Sequence, residues 1–353
     1  MVVQKKIIFI TSAAVGGAER VTVTLAKINH KAGNTVRMLV LEDSEDKISG
    51  FIPNEIPVDR MKVKSPYGSS LKFYMYLKRT KPDIVFCASP AFNSRLIIAV
   101  KLVGRIKIVV RNSNIFATER KDVQLLMKFT YKYADRIILQ QQEMLDELLK
   151  VIRLPASKVI ALQNPIDKDF IDESVKVPSP YPDDAQIKYV WTARFAPAKG
   201  QDILAMAFAE LRKVRPNAHL YFVGIYSGES EFFRKVKKIV DEAGMSEFVH
   251  FVGFDSNPYR WVKHCDCFVL PSRYEGLPNA MLEAMYLNRP CVSTLCIPII
   301  DRMIENGYNG YKVPNEDYIA MAEAMNKAID LHDFKMIYKS ADDAEFVRIF
   351  DEL

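Results

Sequence analysis

The chain has 353 residues, 49 of them Lys or Arg against 43 Asp or Glu, for a formal net charge of +6. That length suits two domains of about 100–200 residues each, with a large core. No apolar stretch approaches the roughly 20 residues needed for a helix to cross a bilayer. The five cysteines, Cys87, Cys265, Cys267, Cys291 and Cys296, are odd in number and lack Cys-x-x-Cys spacing. They read as small buried hydrophobes in a reducing cytoplasm, not as disulfides or metal ligands.

Lys5-Lys6 followed by Ile7-Ile-Phe-Ile-Thr-Ser-Ala-Ala has the outline of a secretory signal. Its apolar core is short, however, and it runs into Gly16-Gly17-Ala-Glu-Arg20, so it is expected to be the first buried strand. Further short apolar runs follow at Val36–Leu41, Asp83–Ser89, Lys107–Asn112 and Arg136–Gln140, with amphipathic segments such as Ala18–His30 and Arg95–Val103 between them. The pattern restarts after residue 187, at Lys188–Thr192, His219–Gly224, Val249–Phe254, Cys267–Ser272 and Pro290–Thr294. Alternating strand and helix implies α/β domains with parallel sheets covered on both faces. The polar interval from Asn164-Pro165 to Asp184, stiffened by Pro178, Pro180 and Pro182, separates the halves. The expected organisation is a Rossmann-like domain over 1–165, a linker over 166–187 and a second Rossmann-like domain over 188–353. The last helix could pack back on the first domain. Ligands would bind beyond the carboxyl ends of the strands, in a cleft where the two domains face each other.

Charge is divided unevenly: residues 1–165 hold 27 Lys+Arg against 14 Asp+Glu, a net of +13, and the remainder holds 22 against 29, a net of −7. Within the basic half, Leu71–Arg79 and Lys121–Lys132 mix cations with apolar side chains, a combination suited to anionic lipid headgroups. Nucleic acid is not expected as a partner, because no recognised nucleic-acid motif accompanies the charge.

The most informative stretch is Ser272-Arg-Tyr-Glu275-Gly-Leu-Pro-Asn279-Ala-Met-Leu-Glu283. It follows an apolar strand, and Pro278 suits the first position of a helix that Ala280 to Met285 continue. Glu275 then lies in a tight loop, Gly276 admits close backbone approach, and Glu283 stands one to two turns into the helix. Amide groups at such a helix start favour an anion or a sugar oxygen. Thr192-Ala-Arg194-Phe-Ala-Pro-Ala-Lys199-Gly200 offers two cations after the second domain's first strand, and Gly16-Gly17 precedes the first helix. The latter is not the Gly-x-Gly-x-x-Gly of dinucleotide binders, which weakens a nicotinamide-dependent oxidoreductase reading.

Together with Val252-Gly253-Phe254, Asn257-Pro258, Pro290–Thr294 and Glu305–Gly310, these residues resemble the signature of retaining glycosyltransferases of family 4, the group 1 transferases of GT-B fold. The resemblance implies that Arg194 and Lys199 bind a nucleotide-sugar diphosphate and that Glu283 holds the ribose. It places Glu275 at the transferred sugar, with backbone of Gly276, Leu277, Pro278 and Asn279 around it. Phe254 would border the base, and Gly17 would reach phosphate from the first domain. Glu275, Arg194 and Lys199 would carry catalysis.

Where many members have a His, this chain has Arg111-Asn112-Ser113-Asn114, so Arg111 and Asn112 are the candidates on the acceptor side. The five histidines show no metal spacing. Asp167-Lys-Asp169 has the spacing of metal-dependent transferases but falls in the linker, so a metal is not expected and no cofactor beyond the nucleotide sugar is implied. The expected activity is metal-independent, configuration-retaining transfer of a hexose or N-acetylhexosamine, UDP-linked, to a lipid-linked or glycan acceptor. The expected place is the cytoplasm, peripheral on the inner face of the cell membrane. The alternative is a catalytically idle nucleotide-sugar-binding subunit.

Overall fold

The computed structural model describes residues 4–42, 45–63, 66, 68–182, 186–338 and 340–353. The chain divides into two compact units, residues 1–166 together with 340–353, and residues 167–339. In the first unit, strands β1 (Lys6–Ser12), β2 (Thr35–Glu42), β3 (Val58–Lys62), β4 (Ile84–Cys87), β5 (Lys107–Asn112), β6 (Arg136–Leu139) and β7 (Val159–Ala161) form a parallel sheet in the order β3-β2-β1-β4-β5-β6-β7. Helices α1 (Gly17–Lys31), α2 (Ser69–Thr80), α3 (Pro90–Val103), α4 (Lys121–Thr130) and α5 (Gln142–Val151) connect them. The apolar runs are continuous because both faces of each inner strand are covered. Ile8, Ile10 and Val110 pack into one core with Phe73, Leu96, Met127 and Leu148 of α2 to α5. Their neighbours Ile7, Phe9 and Val109 pack into another with Val21, Leu25 and Ile28 of α1.

The second unit opens with α6 (Lys168–Ser174) and then alternates β8 (Ile187–Thr192), α7 (Gln201–Arg212), β9 (Ala218–Val223), α8 (Glu231–Glu242), β10 (Val249–Gly253), α9 (Tyr259–Lys263), β11 (Cys267–Leu270), α10 (Asn279–Tyr286), β12 (Cys291–Thr294), α11 (Ile299–Met303), β13 (Gly310–Val313) and α12 (Tyr318–Ala328). Its parallel strands lie in the order β10-β9-β8-β11-β12-β13. Both sheets are therefore doubly wound, as the alternation predicts. The chain reverses direction across the sheet between β1 and β4 in the first unit and between β8 and β11 in the second. At such a reversal the loops leaving neighbouring strands part and leave a crevice for a ligand.

The interval expected to be a linker is folded onto the second unit. Asp167 caps α6 by accepting from the Phe170 amide at 3.3 Å, an ordinary N-cap. The Tyr181 hydroxyl donates to the Trp261 carbonyl at 2.6 Å, and its ring lies 4.7 Å from that of Tyr221. The prolines around Tyr181 suit a chain laid flat on a surface, so stiffness there serves packing. Asp184 lies outside the described residues.

The last helix, α13 (Asp343–Asp351), belongs to the first unit. Asp342 and Glu345 form a capping box at its start. At its end Lys5 Nζ donates to the carbonyls of Phe350 and Asp351 at 2.8 and 2.7 Å. Phe346, Ile349 and Phe350 complete the core beside α1, with the Phe350 ring 5.5 Å from Phe9 and 6.1 Å from Phe86. Residues 340–353 bring one basic and five acidic side chains, so the first unit's net charge is +9 and the second's is −3. Phe350→Ala should destabilise the first unit by about 3–5 kcal/mol, the usual cost of an emptied aromatic site. Urea unfolding checks this, and a change under about 1 kcal/mol would show that α13 is dispensable to that core.

Candidate functional site

The reversal between β8 and β11 collects most of the residues singled out in the sequence. The loop leaving β8 carries Arg194 and Lys199, and the loop leaving β11 carries Glu275 to Pro278. The two loops touch through backbone. Gly200 has φ +68°, a left-handed conformation that suits glycine. A Cβ placed on it would lie 1.9 Å from the Pro271 carbonyl oxygen. Only glycine therefore fits between Lys199 and helix α7.

This approach brings Lys199 onto Glu275. The ammonium donates to both carboxylate oxygens, at 2.7 and 2.8 Å. Glu275 is only 7% exposed, and burying a carboxylate is costly unless it is paired and hydrogen-bonded. A third contact comes from the buried Ser272, whose hydroxyl donates to Oε1 at 2.7 Å. Ser272 is in turn fixed through its carbonyl, which accepts from Thr294 Oγ1 at the end of β12. Sequence reasoning gave Ser272 and Thr294 no role. Their signal was present only as a Ser three residues before the glutamate.

The other donor-side candidates lie on the same unit. Arg194 is exposed, and its carbonyl accepts from the buried Gln201 at 3.1 Å. Glu283, partly buried on the second turn of α10, accepts from the buried Tyr259 hydroxyl at 3.4 Å. Phe254 is 44% exposed just beyond β10. Leu277 and Pro278 are buried, and Gly276 and Asn279 are partly exposed. Helix α10 begins at Asn279 with Pro278 as its cap residue, one position later than the sequence suggested. The Asn279 amide, expected to face the sugar, already donates to the Leu277 carbonyl at 3.0 Å.

Gly17, Arg111 and Asn112 lie on the first unit. Gly17 is exposed at the first position of α1, beside the reversal between β1 and β4. Glu19 folds back there, its Oε2 2.5 Å from where a Cβ on Gly16 would stand, so that helix start carries a carboxylate of its own. The expectation that Arg111 and Asn112 face the acceptor is corrected, since the structure turns both inward. They are 0% and 1% exposed, because β5 is an inner strand covered on both sides. Arg111 donates to Asn164 Oδ1, and burial lowers its pKa to about 9. Asn112 Oδ1 accepts from the Tyr131 hydroxyl at 2.7 Å and from Asn93 at 3.4 Å.

The sequence matches "Glycosyltransferase Family 4" over residues 15–170 and "Glycosyl transferases group 1" over residues 174–342. The chain belongs to the family 4, group 1 glycosyltransferases, and its two doubly wound units are those of the GT-B fold. An uncharacterised glycosyltransferase of Methanocaldococcus jannaschii is 29% identical over 241 residues, which are 64% of this chain and 58% of that protein. The chain thus aligns with less than two thirds of that relative. The Campylobacter jejuni N-acetylgalactosamine-N,N'-diacetylbacillosaminyl-diphospho-undecaprenol 4-alpha-N-acetylgalactosaminyltransferase is 26% identical over 315 residues, 82% of this chain and 80% of that one. The crystal structure of Anabaena HepE in complex with UDP and glucose superposes with a TM-score of 0.78 at 18% identity, covering 99% of each chain. That likeness is one of fold.

Gly200→Ala combines left-handed strain of about 1–2 kcal/mol with a clash that only separation of the two loops relieves. It should lower the unfolding free energy by more than the strain alone, with an unchanged urea m-value. Parental stability in the Gly200→Ala variant would show that the loops do not depend on this contact.

Proposed function

We propose that this chain transfers a hexose or N-acetylhexosamine from a nucleotide sugar, UDP-linked, to a lipid-linked or glycan acceptor of a cell-surface polysaccharide or glycolipid, with retention of anomeric configuration. The observation that carries this reading is the Lys199–Glu275 pair at the reversal of the second sheet, with Arg194 exposed on the same loop. UDP and glucose in the complex of the fold neighbour, and the diphospho-undecaprenol substrate of the Campylobacter relative, support the donor and acceptor classes.

Breaking the glycosidic bond leaves negative charge on the departing diphosphate. Lys199 and Arg194 supply fixed positive charge where it develops. Lys199 is already ordered by Glu275, so little reorganisation is required when a diphosphate arrives. Glu275, held by Ser272, orients a sugar hydroxyl, and Glu283 accepts from the ribose. The acceptor hydroxyl attacks the face from which the diphosphate leaves. Its oxygen bonds to the anomeric carbon as the bond from that carbon to the phosphate oxygen breaks, and the departing phosphate oxygen takes its proton. No protein base is required, which fits the absence of a His from Arg111-Asn112-Ser113-Asn114. The cations do the work a metal would do, and Asp167 is engaged as a helix cap.

The acceptor class has a counterpart on the first unit. Helices α2, α3 and α4 pack side by side over one core. Outward they present Leu71 at 64% exposure, Leu102 at 68% and Phe129 at 63%, with Met75 and Leu125 also exposed. Lys72, Lys78, Arg79, Lys101, Arg105, Lys121, Lys128 and Lys132 are exposed among them, and α2 and α3 contain no acidic residue. No helix among the described residues is long and apolar enough to cross a membrane. Such a face suits peripheral docking on an anionic leaflet, on the cytoplasmic side where the soluble donor is found.

Lys199→Ala or Glu283→Ala should lower kcat/KM with a UDP-sugar roughly ten- to hundredfold, the loss of one charge-assisted bond of about 1.5–3 kcal/mol. Excess chelator should leave the parent's initial rate unchanged. Normal kcat/KM in both variants would remove these residues from the site, while UDP binding without transfer would favour the idle subunit.

Sedimentation with vesicles should show binding to anionic but not zwitterionic lipid, weakening as salt shortens the Debye length. At about 1 kcal/mol per engaged cation, changing Lys121, Lys128 and Lys132 together to Glu should abolish it while sparing donor hydrolysis. Equal affinity for neutral and anionic vesicles would argue for a soluble acceptor.

A further inference from the structure

Arg273 stands between Ser272 and Glu275 yet has no part in the donor roles above. Its guanidinium forks onto Asp202, Nη1 to Oδ1 at 2.8 Å and Nη2 to Oδ2 at 3.1 Å. Nη1 also donates to the Pro197 carbonyl at 2.6 Å, and the Arg273 amide donates to the Ala198 carbonyl at 2.9 Å. Two successive carbonyls immediately before Lys199 are therefore gripped by one residue, once by side chain and once by main chain. On its other side Arg273 meets Glu316 through Nη2 at 3.1 Å, and its own carbonyl accepts from Asn315 at 3.4 Å.

The loops leaving β8, β11 and β13 thus converge on a single side chain. Its anchor is firm, because the Asp202 carboxylate is 2% exposed and takes a second cation, Lys235, at 2.7 Å. Burial alone would raise the Asp202 pKa, but the hydrogen bonds from Arg273 and Lys235 outweigh it and hold it below the usual carboxylate range. Lys cannot replace this residue in kind. An ammonium lacks the planar fork that reaches both carboxylate oxygens and a carbonyl at once.

We infer that Arg273 is a positioning residue of the donor site, clasping the Pro197–Lys199 turn to Asp202 so that Lys199 is held at the distance from Glu275 at which it meets a diphosphate. This rests on the donor reading given above. An ammonium moved by about 1 Å leaves the range of a charge-assisted hydrogen bond to a diphosphate oxygen, so the clasp governs affinity without touching the ligand.

Titration calorimetry with UDP tests it on the parent, Arg273→Ala, Arg273→Lys, Lys199→Ala and the Arg273→Ala/Lys199→Ala double variant. Arg273→Ala should weaken UDP binding about tenfold, the scale of one weakened charge-assisted bond, and Arg273→Lys should recover only part. In the Lys199→Ala background the Arg273 substitution should cost nothing further, because the group it positions is gone. Equal losses in both backgrounds, or parental affinity in Arg273→Ala, would overturn the inference. Hydrogen exchange gives a second arm that needs no ligand: the Lys199 and Gly200 amides should exchange faster in Arg273→Ala, while β8 and β11 keep their protection. Unchanged exchange there also overturns it. UDP affinity unaffected by Lys199→Ala would instead defeat the donor reading, leaving exchange to decide the clasp.

Discussion

The close approach of two backbone segments, Gly200 against Pro271, is the constraint on which the meeting of Lys199 and Glu275 depends. Adjacent parallel strands lie about 4.8 Å apart, but the loops that leave them would diverge without a reason to stay together. Glycine supplies one by removing the side chain that would hold them apart. The same device acts on the opposite flank, where a Cβ on Gly224 would lie 1.5 Å from the Ala193 carbonyl oxygen. The β8 loop is therefore pressed between the loops of both neighbouring strands. Arg194 and Lys199 are carried on a segment whose path is set by sterics before any charge is considered.

Charge then refines what sterics allow. Two ion pairs cross the same gap, Lys199 to Glu275 and Arg273 to Asp202, and in each the acid is the buried member. A buried pair contributes little net stability compared with apolar packing, since desolvation offsets attraction. Its effect is geometric, because each carboxylate is tolerated only with its partner in place. The two pairs differ in what they leave available. Asp202 takes two cations and is buried, whereas the Lys199 side chain is 24% exposed.

Much of this was legible in the residues. The apolar runs marked β1, β2, β4, β5 and β6 and most of the second sheet, because strands covered on both faces cannot alternate. Three strands went unread. In β3, Val-Asp-Arg-Met-Lys shows the exposed and half-buried alternation of an edge, β7 is three residues long, and β13 opens on a glycine. The motif around Glu275 marked the loop that meets Lys199, but spacing alone did not reveal that the two side chains bond each other, since they are distant in sequence. The inward turn of Arg111 was hidden for a related reason. An arginine at a strand end reads as exposed, and neither the cover over β5 nor the partner Asn164, far along the chain, is visible from its neighbours in sequence.

The return of α13 to the first unit has a consequence for how the molecule is made. Phe9 and Phe86 lack Phe350 until synthesis has passed through the entire second unit. At about 5–20 residues per second, that delay is roughly 10–40 s on the ribosome. The first unit starts before the second and is completed after it, with the apolar surface beside α1 uncovered in the meantime. Apolar surface left open during synthesis is prone to aggregate, and a stall within α13 leaves a completed second unit tethered to an unfinished first.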